Sequence, residues 1–166
     1  MPARTKLAGF LFGEAMTNIQ TNPDANLAQV IRTIESSGNP HAIRFEPRIY
    51  ANLIAAPRPI IDSIAAYNFC TRATALALAS FSFGLYQLMG MNLYECGYNA
   101  DVATFLNDEA AQFEYFGKFL TRSGINVSLA SLLASEPKLD SFAYRYNGSI
   151  LYAATMRAVA KSAGFV

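Results

Sequence analysis

The stretch between Arg72 and Glu95 contains no charged residue, and this constrains the fold more than any other feature of the chain. A run of this length meets the simplest length test for a membrane-spanning helix. Several glycine and polar residues interrupt it, and in lipid the polar groups would need hydrogen-bond partners. These residues are Ser80, Ser82, Gly84, Gln87, Gly90 and Asn92. The segment therefore predicts a buried central helix followed by a polar turn, with no stable insertion into a membrane.

The composition is that of one globular domain with a large core. The chain has 166 residues, of which 52% are apolar and 15% charged, and its formal net charge is +1. A domain of this size buries about two-thirds of its unfolded surface, so it needs neither metals nor disulfides to form a core. Lys and Arg form no cluster, so binding to nucleic acid is not expected. We expect a monomer with a single domain over 1–166, in which 1–21 is an N-terminal extension.

The cysteines and the histidine predict no metal site. Cys70 and Cys96 lack a Cys-x-x-Cys partner and a nearby histidine, and whether they pair with each other stays open. His41 is the single histidine and predicts an exposed loop residue. The chain has no P-loop and no G-x-G-x-x-G, so no cofactor is expected. The apolar run at 7–12 is short and lacks a small-x-small cleavage site, which argues against a signal peptide.

Apolar residues recur with helical spacing over most of the chain. Leu27, Val30, Ile31 and Ile34 form one stripe, and Asn22 followed by Pro23 predicts the cap of this first helix. Residues 38–58 are predicted to be irregular, with a short strand or an extended loop over 42–50. Further helices are predicted over 60–69, 71–79, 102–122 with Asp101 as its cap, 127–135, 139–146 and 151–163. The fold class is therefore mainly α.

Glu35 ends the first amphipathic segment and is followed at once by a loop rich in Ser, Gly and Pro. At about 100° per residue it projects only about 40° from Ile31, at the edge of the apolar stripe. Burial and the carboxyl end of the helix dipole both disfavour an ionised carboxylate, which raises its pKa. Cleavage of a glycosidic bond requires a carboxylic acid that keeps its proton near the working pH. The alternative interpretation is a solvated glutamate at a helix end.

Glu46 lies between Arg44 and Arg48, which favour its ionised form. An ionised carboxylate here could stabilise a positively charged sugar transition state, or it could only anchor the loop through a salt bridge.

Two further segments carry groups suited to a sugar ligand. In the turn over 82–90, Gln87 offers an amide donor and acceptor, and Gly84 allows close approach of a ligand or another backbone. Tyr146 and Asn147 form an aromatic–amide pair that could stack on and hydrogen-bond a sugar. Packing glycines with a satisfied buried Gln, and an ordinary Asn-Gly turn, are the alternatives.

Four motifs together carry a resemblance to a known family. They are Ile34-Glu35-Ser36-Ser37-Gly38, Arg44-Phe45-Glu46-Pro47, the block over 82–92 and Tyr146-Asn147-Gly148. In this order they resemble the N-acetylmuramidases of bacteriophage endolysins and prophage lysis genes, within the lysozyme-like superfamily. The resemblance runs from about residue 26 to the end of the chain. Its most specific part is the central block, Ser-aromatic-Gly-x-x-Gln-x-Met-Gly-x-Asn.

The resemblance implies a mainly α, lysozyme-like fold with two lobes, of which the smaller is built from loops and short strands, around a glycan groove. It implies that Glu35 is the catalytic acid, and Glu46 is a candidate for a second catalytic group. Asp101, Asp108 and Glu109 are further candidates for that group. The residues implied to bind substrate are Ser82, Tyr86, Gln87, Met89, Tyr146 and Asn147. The chain departs from the family at Arg48, where a His is common, at Phe83, where a Trp is common, and in the short stretch over 38–44.

Three functions remain open from the sequence. The first is a peptidoglycan hydrolase that cleaves the β-1,4 bond between N-acetylmuramic acid and N-acetylglucosamine. The second is a lytic transglycosylase, which uses one carboxyl and forms 1,6-anhydromuramyl ends. The third is a catalytically silent wall-binding or virion structural domain. We expect a phage-encoded protein that acts on peptidoglycan strands at the bacterial cell wall, either released at lysis or carried on the virion.

Overall fold

The structure, a computed structural model, describes residues 23–165. The extension over 1–21, with its apolar run, lies outside the described residues. Within the described range the chain forms ten helices and three short strands. In chain order these are α1 (Ala25–Ser36), β1 (Ile43–Phe45), α2 (Pro47–Ala55), α3 (Ile60–Tyr67), α4 (Arg72–Ala79), β2 (Phe81–Phe83), β3 (Leu88–Met89), α5 (Gly90–Glu95), α6 (Val102–Leu106), α7 (Glu109–Arg122), α8 (Leu129–Leu133), α9 (Glu136–Asn147) and α10 (Leu151–Ser162).

The first helix begins later than the sequence predicts. Its cap is Asp24, whose carboxylate accepts a hydrogen bond from the Leu27 N–H at 2.7 Å. The same carboxylate accepts from the Leu129 N–H at 3.2 Å, which ties the start of α1 to the start of α8. The prediction of Asn22 as the cap was therefore wrong, because Asp24 caps α1; Asn22 itself lies outside the described residues. In the predicted apolar stripe, Leu27, Val30 and Ile31 are fully inaccessible and Ile34 is partly buried.

Two other helix predictions need correction. Residues 38–58 are not irregular throughout, because β1 and α2 lie within them; Pro47 starts α2, where its missing N–H costs nothing. The single helix predicted over 102–122 is two helices, α6 and α7. Asp101 caps α6 as predicted, but Asp108 accepts from the Ala111 N–H at 2.9 Å and starts α7 afresh.

The charge-free stretch folds as α4, a β-hairpin and the start of α5 rather than as a helix followed by a turn. β2 pairs with β1 on one side and with β3 on the other, both antiparallel. Ser80 and Ser82 in this stretch are buried, and each lies at or beside the sheet. The hairpin is largely buried, whereas only Ala75 and Ala79 of α4 are buried, so the prediction of a buried central helix was wrong for most of α4. No helix over 23–165 is long and apolar enough to cross a bilayer.

The fold is mainly α with a small three-stranded sheet, which confirms the predicted lysozyme-like class. Its core runs through most of the helices and includes Phe83, Phe105 and Phe116, each at most 2% exposed. Burial of aromatic and aliphatic side chains on this scale supplies the main driving force for folding. The core fixes the carboxyl end of α1 against the hairpin and against α10, and these three elements surround the site described next.

Candidate active site

A cleft with a volume of about 420 Å³ lies where the end of α1, the sheet, the start of α2 and the end of α9 meet. This volume falls in the range of ordinary ligand pockets. Eight of the residues that the sequence singled out for catalysis or binding lie on its wall: Glu35, Glu46, Ser82, Tyr86, Gln87, Met89, Tyr146 and Asn147. Its other wall residues are Arg44, Arg48, Ile49, Leu88, Asn92 and Phe119.

Among the described residues, the carboxyl of Glu35 accepts one hydrogen bond, from the hydroxyl of Tyr152 on α10. This hydroxyl donates to Oε1 of Glu35 at 2.7 Å. Burial raises the pKa of Glu35 above its ordinary value of 4.5. The hydrogen bond from Tyr152 and the charge of Arg44 lower this pKa, and the charge of Glu46 raises it. Burial is the largest of these effects, so the carboxyl keeps its proton to a higher pH than an exposed glutamate does.

The hydroxyl of Tyr152 keeps its own proton over the working pH range and donates it in the hydrogen bond to Glu35. Burial raises the pKa of Tyr152, with the charges of Tyr146 and Glu35 adding to the effect. The side chain is 8% exposed, so its position is fixed by packing. Nothing near Tyr152 in the sequence marks it, because it lies 117 residues from the carboxyl that it contacts.

Glu46 provides a second carboxylate on the cleft wall. Nε of Arg44 donates to Oε1 of Glu46 at 2.6 Å, and the two side chains are 57% and 30% exposed, respectively. Arg44 thus contacts Glu46 and also lowers the pKa of Glu35, so these three ionisable side chains interact with one another. Glu46 directly precedes the first residue of α2. Its carboxylate makes no capping hydrogen bond to this helix and instead accepts from Arg44.

The other carboxylates proposed for a second catalytic group lie elsewhere. The carboxylates of Asp101 and Asp108 cap α6 and α7, and neither residue lines the cleft. Glu109 lies in the first turn of α7, also away from the cleft wall. Among residues 23–165, Glu35 and Glu46 are the two acidic residues that line this cleft.

One row across the sheet faces the cleft. Arg44 on β1 stands opposite Ser82 on β2, and Ser82 stands opposite Met89 on β3. Side chains on directly opposed positions of a sheet share a face, so this register places all three on the cleft wall. From the sequence, Arg44 was predicted only to lie beside Glu46. Its place on the cleft wall could not be predicted, because it depends on pairing between strands that are distant in the sequence.

The turn between β2 and β3 is held by the side chain of Gln87. Its Nε2 donates to the carbonyl of Ala42 at 3.1 Å and to that of Gly84 at 3.0 Å. The amide nitrogen of Gln87 is therefore already bonded to the backbone. From the sequence, both the nitrogen and the oxygen of this amide were expected to be available to a sugar. Gln87 also adopts a positive φ of 46°. The carbonyl oxygen of this amide remains as the group that a ligand could use.

Gly84 allows another group to pack closely against the backbone, as predicted. That group is the side chain of Gln112 rather than a ligand or another backbone segment. Gly84 has a φ of 75°, and a Cβ added to it would lie 2.4 Å from Oε1 of Gln112. That oxygen accepts from the Leu85 N–H at 2.7 Å. Nε2 of the fully buried Gln112 donates to the carbonyls of Pro40, Phe105 and Leu106. Gln112 therefore joins the hairpin turn, the loop before β1 and α6.

The two tyrosines on the wall differ from the expected sugar platforms. Tyr86 is 4% exposed, and its ring stacks on Phe116 with centroids 4.3 Å apart. This ring is therefore packed in the hydrophobic core. Tyr146 is partly exposed, stacks on Phe142 and donates from its hydroxyl to the carbonyl of Tyr86 at 3.2 Å. Asn147, the last residue of α9, is exposed beside it.

The Glu35 motif also has a structural part. The hydroxyl of Ser36 donates to the carbonyls of Arg32 at 3.0 Å and of Leu85 at 2.9 Å. This second bond fixes the end of α1 to the hairpin turn. Ser37 and Gly38 follow with positive φ values of 55° and 78°, which end the helix at Ser36, one residue after Glu35.

The cysteines and the histidine take no part in the cleft. Cys70 and Cys96 are both free thiols, which answers the question of pairing that the sequence left open. His41 is an exposed loop residue, as predicted. Over the described range, His, Cys, Asp and Glu side chains form no cluster of three or more suited to a metal ion.

Comparison with known proteins identifies the family. A family model described as N-acetylmuramidase matches residues 61–161. That region contains the hairpin and the α9 side of the cleft, whereas Glu35 and Glu46 precede it. The chain is also 38% identical over 132 residues to an endolysin of Enterobacteria phage PRD1, over 76% of this chain and 89% of that protein. No solved structure matches. On these matches, the chain belongs to the N-acetylmuramidase family of phage endolysins.

Proposed function

We propose that this chain hydrolyses peptidoglycan at the β-1,4 bond between N-acetylmuramic acid and N-acetylglucosamine, with Glu35 as the general acid. Membership of the N-acetylmuramidase family supports peptidoglycan as the substrate. The observation that carries the proposal is the half-buried carboxyl of Glu35, whose raised pKa keeps a proton available in a cleft of ligand size.

Tyr152 determines which oxygen of Glu35 carries the proton. Its hydroxyl donates to Oε1, so the neutral carboxyl holds its own proton on Oε2. That proton passes to the glycosidic oxygen as the bond to the muramic acid carbon breaks. The carboxylate formed on Glu35 is then stabilised by Tyr152 and by the charge of Arg44, which act more strongly on the ionised form. Tyr152 is a positioning residue because it acts through Glu35.

Glu46 is proposed as the second group of the reaction. Its carboxylate, oriented by Arg44, stabilises the positive charge that develops on the sugar ring, or activates the water that attacks it.

A lytic transglycosylase is the second candidate, and one observation favours it. Arg44 already occupies one oxygen of Glu46, which leaves Glu35 as the cleft carboxyl that can act first as acid and then as base. Mass spectrometry of digested cell walls separates the two activities. Reducing muramic acid ends indicate the hydrolase, and 1,6-anhydro ends indicate the transglycosylase.

The test of the proposed acid is a turbidity assay on cells stripped of their outer membrane. Glu35→Gln keeps the shape of the side chain and an acceptor for Tyr152, but it has no proton to give. We expect its turnover to fall by about 10²–10⁴ with an unchanged melting temperature. Glu136→Gln on the exposed start of α9 makes the same chemical change away from the cleft and is expected to keep full activity. Equal lysis by Glu35→Gln and wild type would exclude Glu35 as the acid.

The same assay addresses the third function, a silent wall-binding or virion domain, since such a domain would give no lysis in any form. The expectations of a single domain, a monomer and action at the cell wall of a phage host accompany this proposal. The first two are checked by limited proteolysis and by sedimentation. Release at lysis and transport on the virion are separated by assaying purified particles for the protein.

A further inference from the structure

The two arginines on the cleft wall differ in their partners. Arg44 is paired with Glu46 at 2.6 Å. Arg48 lines the same cleft, but within residues 23–165 its side chain makes neither a hydrogen bond nor an ion pair with another residue. When Glu35 holds its proton, the Arg44–Glu46 pair cancels. The guanidinium of Arg48 is then the uncompensated charge on the described wall of the cleft.

The position of Arg48 is set by the helix on which it lies. It is the second residue of α2, directly after Pro47, and Ile49 after it also lines the cleft. Pro47 has a fixed φ, so the backbone is stiff in the first turn of α2, from which the side chain of Arg48 extends. The side chain is exposed at the cleft and can bind a ligand without breaking a hydrogen bond or an ion pair to another of residues 23–165.

The proposed substrate offers a matching group on every second sugar. N-acetylglucosamine is neutral, whereas N-acetylmuramic acid carries a lactyl group that ends in a carboxyl. In strands without peptide that carboxylate is free, and in strands with peptide it forms an amide and the peptide supplies carboxylates of its own. A guanidinium matches a carboxylate with two parallel hydrogen bonds, which is stronger and more directional than the single contact of an ammonium.

We propose that Arg48 binds a carboxylate on the muramic acid side of the substrate and thereby distinguishes peptidoglycan from neutral chitin-like glycans. The inference rests on the proposed function, since it assumes that the glycan lies in this cleft. It assigns Arg48 to substrate selection and not to proton transfer.

The experiment measures affinity without turnover. The full chain carrying Glu35→Gln is titrated calorimetrically with three ligands: glycan strands with peptide, the same strands after amidase treatment, and chito-oligosaccharides of equal length. Arg48→Gln and Arg48→Lys are added to this background. Lys161→Gln is the matched control, because it removes the same charge from an exposed site on α10 away from the cleft. Thermal unfolding checks that each variant is folded.

We expect Arg48→Gln to raise the Kd for strands that carry a carboxylate by roughly threefold to tenfold, as for a partly exposed charged hydrogen bond. The Kd for chito-oligosaccharides stays unchanged, Arg48→Lys recovers part of the loss, and Lys161→Gln has no effect. A loss confined to amidase-treated strands identifies the lactyl carboxylate, and a loss confined to strands with peptide identifies a peptide carboxylate.

Two results would overturn the inference. One is an equal loss of affinity for all three ligands, and the other is no loss for any of them. Failure of the proposed function gives a different pattern, in which the Glu35→Gln parent either binds no glycan at all or cleaves the strands during the titration.

Discussion

Replacing Gln112 by methionine tests how the cleft is held together, since this side chain joins three segments that build it. Methionine has a similar size and length but cannot replace the hydrogen bonds. The substitution leaves the Leu85 N–H without its acceptor and removes a donor from the carbonyls of Pro40, Phe105 and Leu106. A buried polar group left without a partner costs about 1–3 kcal/mol, so two such groups give about 2–6 kcal/mol.

The assay is thermal unfolding of the full chain beside a matched control. For a protein of this size each kcal/mol lowers the melting temperature by about 2–4 °C, so we expect a fall of roughly 6–12 °C for about 3 kcal/mol. Gln29→Met makes the same change on the exposed face of α1 and is expected to stay within about 0.5 kcal/mol of wild type. If Gln112→Met matched Gln29→Met, the account of Gln112 as the anchor of the hairpin would be refuted.

Two further predictions concern the acid and the hairpin turn. Tyr152→Phe removes a hydrogen bond that lowers the pKa of Glu35, so this pKa rises further. Because the protonated form is active, the alkaline limb of the pH–rate profile moves to higher pH; a shift to lower pH would contradict the role of Tyr152. Gly84→Ala brings a Cβ to 2.4 Å from Gln112, whereas Gly97→Ala, at a φ of 88°, meets no atom within 4 Å. Denaturant unfolding should show a cost of about 1–2 kcal/mol for Gly97→Ala from its backbone alone and a clearly larger cost for Gly84→Ala; equal costs would show that the contact with Gln112 is unimportant.

The wall of the cleft was predictable because its residues lie in short motifs whose chemistry can be read locally. Glu35 sits at the end of a periodic apolar stripe, and the stripe alone indicates a half-buried carboxyl. Gln87 stands out as an amide in an uncharged block, although the direction of its amide could not be predicted. Its donors bond to Ala42, 45 residues away, and this contact exists only once the hairpin and β1 have paired.

The residues that sequence analysis missed act over long separations. Tyr152 contacts Glu35 across 117 residues, and Gln112 contacts Pro40 across 72. A tyrosine and a glutamine inside amphipathic helices carry no local mark of these roles. The break between α6 and α7 was missed for a different reason. The apolar residues on both sides of Asp108 follow one helical spacing, which predicts a single helix. The carboxylate of Asp108 caps α7, so a new helix starts there in spite of this spacing.

The central claim is that the carboxyl of Glu35 is protonated over the pH range in which the protein cleaves glycan. Its most direct test is an NMR titration that follows the carboxyl carbon of Glu35 in the folded chain, paired with the pH–rate profile. The account predicts a pKa above 4.5 that coincides with the alkaline limb of activity. A pKa at or below 4.5, or an alkaline limb that stays unchanged while the pKa of Glu35 is moved by Tyr152→Phe, would contradict it.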